Sequence, residues 1–211
     1  MPTTLRLLGN AKDKKILDMG CGTGLYARIL QQKGAKVCGL DISDEMLGIA
    51  KKEVPNVTFV RGTAEKLPYK DNQFDIVLAA LMMEYLSSWD KVLKEVRRVL
   101  KPKGIFVFST GNPVMNAGVS IIHKGKKIRD VQNYFKEGLH VSKWVVDDKE
   151  VPMKWHHKTY GTIIKALVKH KFMIIDYEDA KPLPQSKKYF LEAYEKCMHK
   201  PLFCTWKVQK I

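Results

Sequence analysis

The feature that most restricts this chain is the run Ile16-Leu17-Asp18-Met19-Gly20-Cys21-Gly22-Thr23-Gly24, an apolar stretch that breaks into three alternating glycines and resumes as an amphipathic stretch at Leu25. An apolar run of strand length, a glycine turn and a helix make a βα unit, and glycines at such a turn let the backbone approach a ligand closely. In a sheet built of these units, ligands dock at the carboxyl ends of the strands. A nicotinamide-type loop, G-x-G-x-x-G, would need its third glycine at position 25. That position is Leu, and the spacing is G-x-G-x-G.

The rest of the sequence repeats the alternation. Apolar runs bounded by turn residues at 16–19, 37–40, 57–60, 74–79 and 105–109 predict five strands, and 172–177 and 202–208 bring the count to seven. Between them, 25–33 reads as a helix closed by Gly34, and Ser43 caps a second helix with Asp44 and Glu45 in its first turn. A third follows Ser88 with Val92, Leu93, Val96, Val99 and Leu100 on one stripe, and the turn 101–104 leads into strand five. Thr159 caps a helix through His170, and Ser186 caps a last one carrying Tyr189, Phe190, Ala193, Tyr194 and Cys197. Leu5, Leu7 and Leu8 suggest a short helical remnant ahead of strand one, leaving the ligand site open. The pattern is that of an α/β, doubly wound, mostly parallel sheet with helices on both faces. Residues 1–211 are expected to form a single domain, in which 111–158, irregular and rich in Gly, Asn, Pro, basic and aromatic residues, is a lid-like insertion over the substrate.

No apolar run reaches the length of a membrane span, and a cytoplasmic location is expected. Cys21, Cys38, Cys197 and Cys204 show neither a C-x-x-C pair nor zinc spacing, so no metal is expected and the thiols read as reduced. A formal net charge of +15 favours anions, whether nucleic acid, a phosphorylated substrate or an acidic lipid surface, with RNA admitted as a partner by the dense stretch 123–129. Oligomeric state is left open.

Further landmarks come after the glycine loop in order. Asp41 ends strand two, seventeen residues after Gly24, where a carboxylate can take both hydroxyls of a ribose. Arg61-Gly62-Thr63-Ala64-Glu65-Lys66-Leu67-Pro68-Tyr69 follows strand three, Phe74-Asp75-Ile76-Val77-Leu78-Ala79-Ala80 forms strand four, and Leu100-Lys101-Pro102-Lys103-Gly104 precedes strand five. With Asp18 ahead of the loop, this series resembles the class I S-adenosylmethionine-dependent methyltransferases, strongly over 15–110. Beyond that, Trp155-His156-His157-Lys158-Thr159-Tyr160 looks like the small-molecule type 11 branch, which includes quinone-biosynthesis enzymes.

The resemblance implies a seven-stranded Rossmann-like fold whose last strand is antiparallel, and S-adenosyl-L-methionine as cofactor, released as S-adenosyl-L-homocysteine. It implies a cofactor site of Asp18, Gly20, Cys21, Gly22, Thr23, Gly24, Asp41, Ile42, Met46, Gly62, Thr63, Ala64, Glu65, Ala80 and Leu81. The family often has Asp where Thr63 stands, which leaves the Ala64 backbone as the adenine contact.

Methyl transfer from a sulfonium needs in-line alignment and exclusion of water, with a general base where the acceptor must lose a proton. Glu84 and Tyr85 follow strand four, where relatives carry His-Tyr, and His156 and His157 precede the sixth helix; these four are the catalytic candidates. Tyr134, Trp144 and Trp155 are candidates for an apolar substrate wall. Rival functions are an RNA or protein methyltransferase and a non-catalytic cofactor-binding partner subunit. Against base methylation, no N-P-P-[YF] follows strand four; Asn112-Pro113 comes after strand five instead.

Overall fold

The computed structural model describes residues 2–146 and 149–211, apart from the side chains of residues 120, 126, 127, 129, 144–146 and 196. Its frame is a seven-stranded sheet made of β1 (Lys15–Met19), β2 (Lys36–Asp41), β3 (Thr58–Arg61), β4 (Phe74–Ala80), β5 (Leu100–Gly111), β10 (Phe172–Asp179) and β11 (Phe203–Lys210), ordered β10-β11-β5-β4-β1-β2-β3. The first five run parallel, and β11 is antiparallel to both neighbours. Strand order reverses at β1, so a crevice opens at the carboxyl ends of β1, β2 and β4.

Both faces of the sheet are covered, which is why its strands read as unbroken apolar runs. Alternate residues go to opposite cores. Leu17, Val77, Phe106 and Phe108 enter one, with α4 (Asp90–Val99) and α6 (Tyr160–Lys169). Ile16, Ile76, Leu78 and Val107 enter the other, with α2 (Leu25–Gln32) and α3 (Asp44–Glu53). The helices start and stop where local chemistry dictates: Ser43 Oγ accepts from the Met46 amide, Thr159 Oγ1 accepts from the Thr162 amide, and α4 buries Val92, Leu93, Val96 and Val99. The remnant expected before β1 is α1 (Pro2–Leu8), whose Leu7 and Leu8 are buried.

Three expectations need correction. Residues 101–104 lie inside β5, but pairing with β4 jumps from Phe74↔Leu100 to Ile76↔Ile105, so the expected turn survives as a bulge within the strand. Ser186 does not cap the last helix. Pro184 opens a tight 3-10 turn, Pro184–Lys188, in which the Ser186 carbonyl takes the amides of Tyr189 and Phe190, and α7 (Leu191–His199) starts after Phe190.

Nor is 111–158 irregular. Asn112 caps a short α5 (Pro113–Ala117), followed by a hairpin of β6 (Gly118–His123) and β7 (Lys126–Val131) and a second of β8 (Gly138–Val146) and β9 (Lys149–His157). The first hairpin turns through Lys124 and Gly125 at φ 47° and 71°, the left-handed pair that two-residue hairpin loops favour. These strands have much exposed surface, so they lack the in-out alternation by which a half-buried strand is recognised.

Among the described residues no helix is long and apolar enough to cross a membrane. Leu93 is fully buried where α4 meets the sheet. Leu93→Ala is expected to cost about 2–5 kcal/mol, read as a lowered urea midpoint with an unchanged slope.

Candidate active site

A cavity of about 550 Å³ opens at the carboxyl edge of β1, β2 and β4. Eleven of the residues expected around the cofactor line it: Gly20, Gly22, Asp41, Ile42, Met46, Gly62, Thr63, Ala64, Glu65, Ala80 and Leu81. Leu40, Met82, Tyr85 and Leu86 complete the wall. Leu40 is the strand residue before Asp41, and Met82 and Leu86 flank the 3-10 turn Met83–Tyr85. Their spacing marks them only as apolar, and not as facing a cavity.

The loop after β1 is shaped by hydrogen bonds to the neighbouring strand end. The Leu40 carbonyl accepts from the amides of Gly20 (2.7 Å) and Cys21 (3.0 Å). The Asp41 carboxylate accepts from the Gly22 amide at 2.8 Å through Oδ2 and from the Ser43 amide at 3.0 Å through Oδ1. Gly20, at φ 72°, lies so close to Met82 that a Cβ would meet its side chain at 2.8 Å. At Gly22, φ 51°, a Cβ would enter open space, so the bare backbone leaves a cradle there.

Four expected cofactor residues lie off the wall. Thr23 and Gly24 line a smaller cleft beside α2, and Cys21 is buried with its thiol pushed up to about 12, first by burial and then by the charges of Asp18 and Asp41. Asp18 is 1 % exposed beneath the loop. Its Oδ2 has no hydrogen-bond partner, and burial raises its pKa to about 7 against the pull of the Ala27 amide, with Asp41 adding repulsion.

At the end of β4, Leu81 stands at φ 53°, held by its amide bonds to the carbonyl (3.0 Å) and Oγ (3.2 Å) of Ser109. The following turn is fixed by Trp89, whose buried indole N–H donates to the Met83 carbonyl at 2.9 Å. Glu84 accepts from the Gly111 amide (2.7 Å) and from Thr110 Oγ1 (3.2 Å), tying the turn to the end of β5; burial raises its pKa while these bonds oppose the shift. Tyr85 is 45 % exposed and faces the cavity, its phenol pKa raised by burial and then by Glu84.

His156 lies on β9, which packs against this turn; its Nδ1 is buried without a hydrogen-bond partner, and its pKa is lowered by burial and then by Lys158. His157 is elsewhere: it is 1 % exposed, its Nε2 lies 2.8 Å from the Tyr134 carbonyl, and it borders a separate cleft near Lys158 and Glu137. Tyr134 ties the base of the second hairpin to α6, whereas Trp155 packs within the hairpin on its cross-strand partner. Tyr134 Oη accepts from the Tyr160 amide at 2.9 Å, and Trp155 stacks on His140 at 4.7 Å; neither lines the large cavity. The Trp144 side chain lies outside the described residues. Lys158 Nζ donates to the carbonyls of Leu86 (2.9 Å) and Ser87 (3.1 Å), joining the end of β9 to the cavity turn.

A family profile described as a methyltransferase domain matches residues 17–108, the segment that builds this cavity. Over 99 % of its length the chain superposes on 96 % of an S-adenosylmethionine-dependent methyltransferase from Mesorhizobium loti, at 28 % identity and a TM-score of 0.86. The cavity-building segment thus matches the methyltransferase-domain family, and the whole chain has the fold of an S-adenosylmethionine-dependent methyltransferase. Among curated relatives of this family, a demethylmenaquinone methyltransferase from Chlorobaculum tepidum is 44 % identical over 46 % of this chain and 40 % of its own length. A malonyl-[acyl-carrier protein] O-methyltransferase from Hamiltonella defensa is 35 % identical over 50 % and 41 %. The chain thus spans less than half the length of these two relatives.

Asp18 gives the folded chain a pH signature. Its carboxyl has a folded pKa of about 7 against 3.8 unfolded, so between these values the folded chain keeps a proton that the unfolded chain has lost. Stability from this group therefore falls as pH rises from about 4 to about 7, by up to roughly 4 kcal/mol. In urea unfolding at pH 5 and pH 8, Asp18→Asn is expected to lose less stability than the natural chain on the alkaline side. Equal losses in the two proteins would refute the assignment.

Proposed function

We propose that this methyltransferase transfers a methyl group from S-adenosyl-L-methionine to a small-molecule acceptor in the cytoplasm, with the 550 Å³ cavity holding the cofactor and 111–158 forming a lid over the acceptor. The observation that carries this reading is the pairing of an open glycine cradle at Gly22 with the Asp41 carboxylate fixed beside it. The residues fit the group in three ways. Asp41 is an anionic acceptor suited to two ribose hydroxyls, and Leu40, Ala64 and Leu86 offer an apolar slot for a purine. Asp18 supplies a buried carboxylate whose unpartnered oxygen is suited to an ammonium group. Cys21 and Gly24 act from behind, shaping the turn and starting α2, and Thr23 lies with them.

When bound, the cofactor supplies an electrophilic methyl carbon on a cationic sulfur. The chain's part is to align the acceptor and exclude water, so that the charge disperses in apolar surroundings. Tyr85, at the cavity wall, is placed to orient the acceptor. Glu84, beside Tyr85 but off the cavity wall and with its proton affinity raised by burial, is the proposed proton acceptor, and β9 with His156 packs on the turn that carries it. His157 and Tyr134 position this apparatus by anchoring the second hairpin, within which Trp155 stacks on His140. The names of the two curated relatives support a non-nucleic-acid acceptor. The four free cysteines support a reducing compartment.

Calorimetry with S-adenosyl-L-homocysteine tests the site. Asp41→Ala is expected to weaken binding by ~10–100-fold, the loss of hydrogen bonds to a charged acceptor. Glu84→Gln is expected to lower kcat by ~100-fold or more while leaving product affinity within error. The acceptor class is read by incubating labelled cofactor with fractionated cell extract, where label is expected in the small-molecule fraction. Label in RNA alone, or unchanged binding by Asp41→Ala, would overturn the proposal.

A further inference from the structure

Large exposed apolar side chains are not spread evenly over this molecule. Residues 111–158 and 180–202, about a third of the chain, hold 14 of the 26 among the described residues. The two segments share one edge. Phe203 pairs with Gly111 and Cys204 with Asp179, the Asn112 amide bonds to the Leu202 carbonyl at 2.9 Å, and the Ala180 amide bonds to the Phe203 carbonyl at 2.8 Å. They therefore leave the sheet side by side, at the same carboxyl edge as the cofactor cavity. The most exposed members are Phe135 (89 %), Ile122 (79 %), Tyr189 (69 %) and Phe190 (67 %). The same segments carry 14 Lys and Arg against 7 Asp and Glu.

We infer that this edge docks on an anionic phospholipid bilayer, with the apolar side chains entering the interface and the lysines meeting the headgroups. Charge selects the occupant. A second copy would press two equally basic surfaces together, whereas an acidic lipid surface neutralises them. Nucleic acid would also meet the lysines, but aliphatic Ile122, Leu139 and Val141 neither pair with phosphate nor stack on bases, and all three are exposed. Aromatic, aliphatic and lysine side chains together, beside the mouth of a binding cavity, suit a headgroup boundary. The acceptor of this methyltransferase would then be a lipid-soluble molecule drawn from the bilayer. Docking itself does not need the cavity to be an active site; that delivery does, and it rests on the function proposed above.

The test is co-sedimentation of the full chain with vesicles of phosphatidylcholine alone and of phosphatidylcholine containing about one-third phosphatidylglycerol, at low and high salt. Binding to the anionic vesicles is expected to exceed that to neutral ones by at least ~10-fold and to weaken with salt. An Ile122→Glu, Phe190→Glu double variant is expected to lose ~10-fold or more of that binding. Val168→Glu, at a side chain 63 % exposed near the end of α6 on the opposite edge, is expected to keep it. Affinity for S-adenosyl-L-homocysteine, measured on each variant, reports folding and the cofactor site separately, so a failure of docking is distinguishable from a failure of the methyltransferase reading. No preference for anionic vesicles, undiminished binding by the double variant, or a concentration-dependent dimer that the double variant dissolves would overturn the inference, as would retention by RNA without retention by vesicles.

Discussion

The site depends on a carboxylate that fastens two loops. Asp41 takes the Gly22 amide with one oxygen and the Ser43 amide with the other, so the turn after β1 and the start of α3 are set by one side chain at the end of β2. The Leu40 carbonyl takes two further amides of the same turn, those of Gly20 and Cys21. A glycine-rich loop would otherwise sample many conformations, because glycine has the most backbone freedom to lose. Here that freedom is removed by partners on an adjacent strand whose register is fixed by burial on both faces. The cradle at Gly22 is thus a property of the sheet as much as of the loop.

The elements around this fastening were legible because each carries its own local chemistry. The glycine spacing marks the turn, Ser43 and Thr159 mark helix starts, and continuous apolar runs mark strands buried on both sides. The hairpins of 111–158 were not legible, since their exposed faces remove the alternation that burial imposes; the Lys124-Gly125 turn was the one available signal. The site was readable to the same degree. Gly20 and Gly22 of the loop and Asp41, Ala80 and Leu81 at strand ends lie on the cavity wall, whereas Asp18, Cys21, Thr23 and Gly24 sit behind it. His157 shows the limit: two adjacent histidines look alike in sequence, yet on β9 they point to opposite faces, placing His156 at the Glu84 turn and His157 in the packing beneath.

The division of labour between the two halves comes from topology. Residues from the end of β1 to the turn after β4 build the cavity wall. After β5, the second hairpin packs against the turn Met83–Tyr85, and Lys158 bonds to the Leu86 and Ser87 carbonyls that follow it. Asn112 stands at the junction, capping α5 with its side-chain oxygen and donating its amide hydrogens to Tyr160 and Asp179, so the hairpins grow from a fixed point on the sheet. An Asn-Pro pair that looks in sequence like a fragment of a base-gripping motif is here a structural rivet.

Leu81 adds a mechanical consequence. An L-amino acid in the left-handed region carries roughly 1 kcal/mol of unrelieved backbone energy, and at this corner the opposing hold is its amide on Ser109. Parting the tips of β4 and β5 at that point would let the leucine relax, so the loaded corner eases the first step of separation. The lip of the chamber thus carries a small internal load at the tips of β4 and β5.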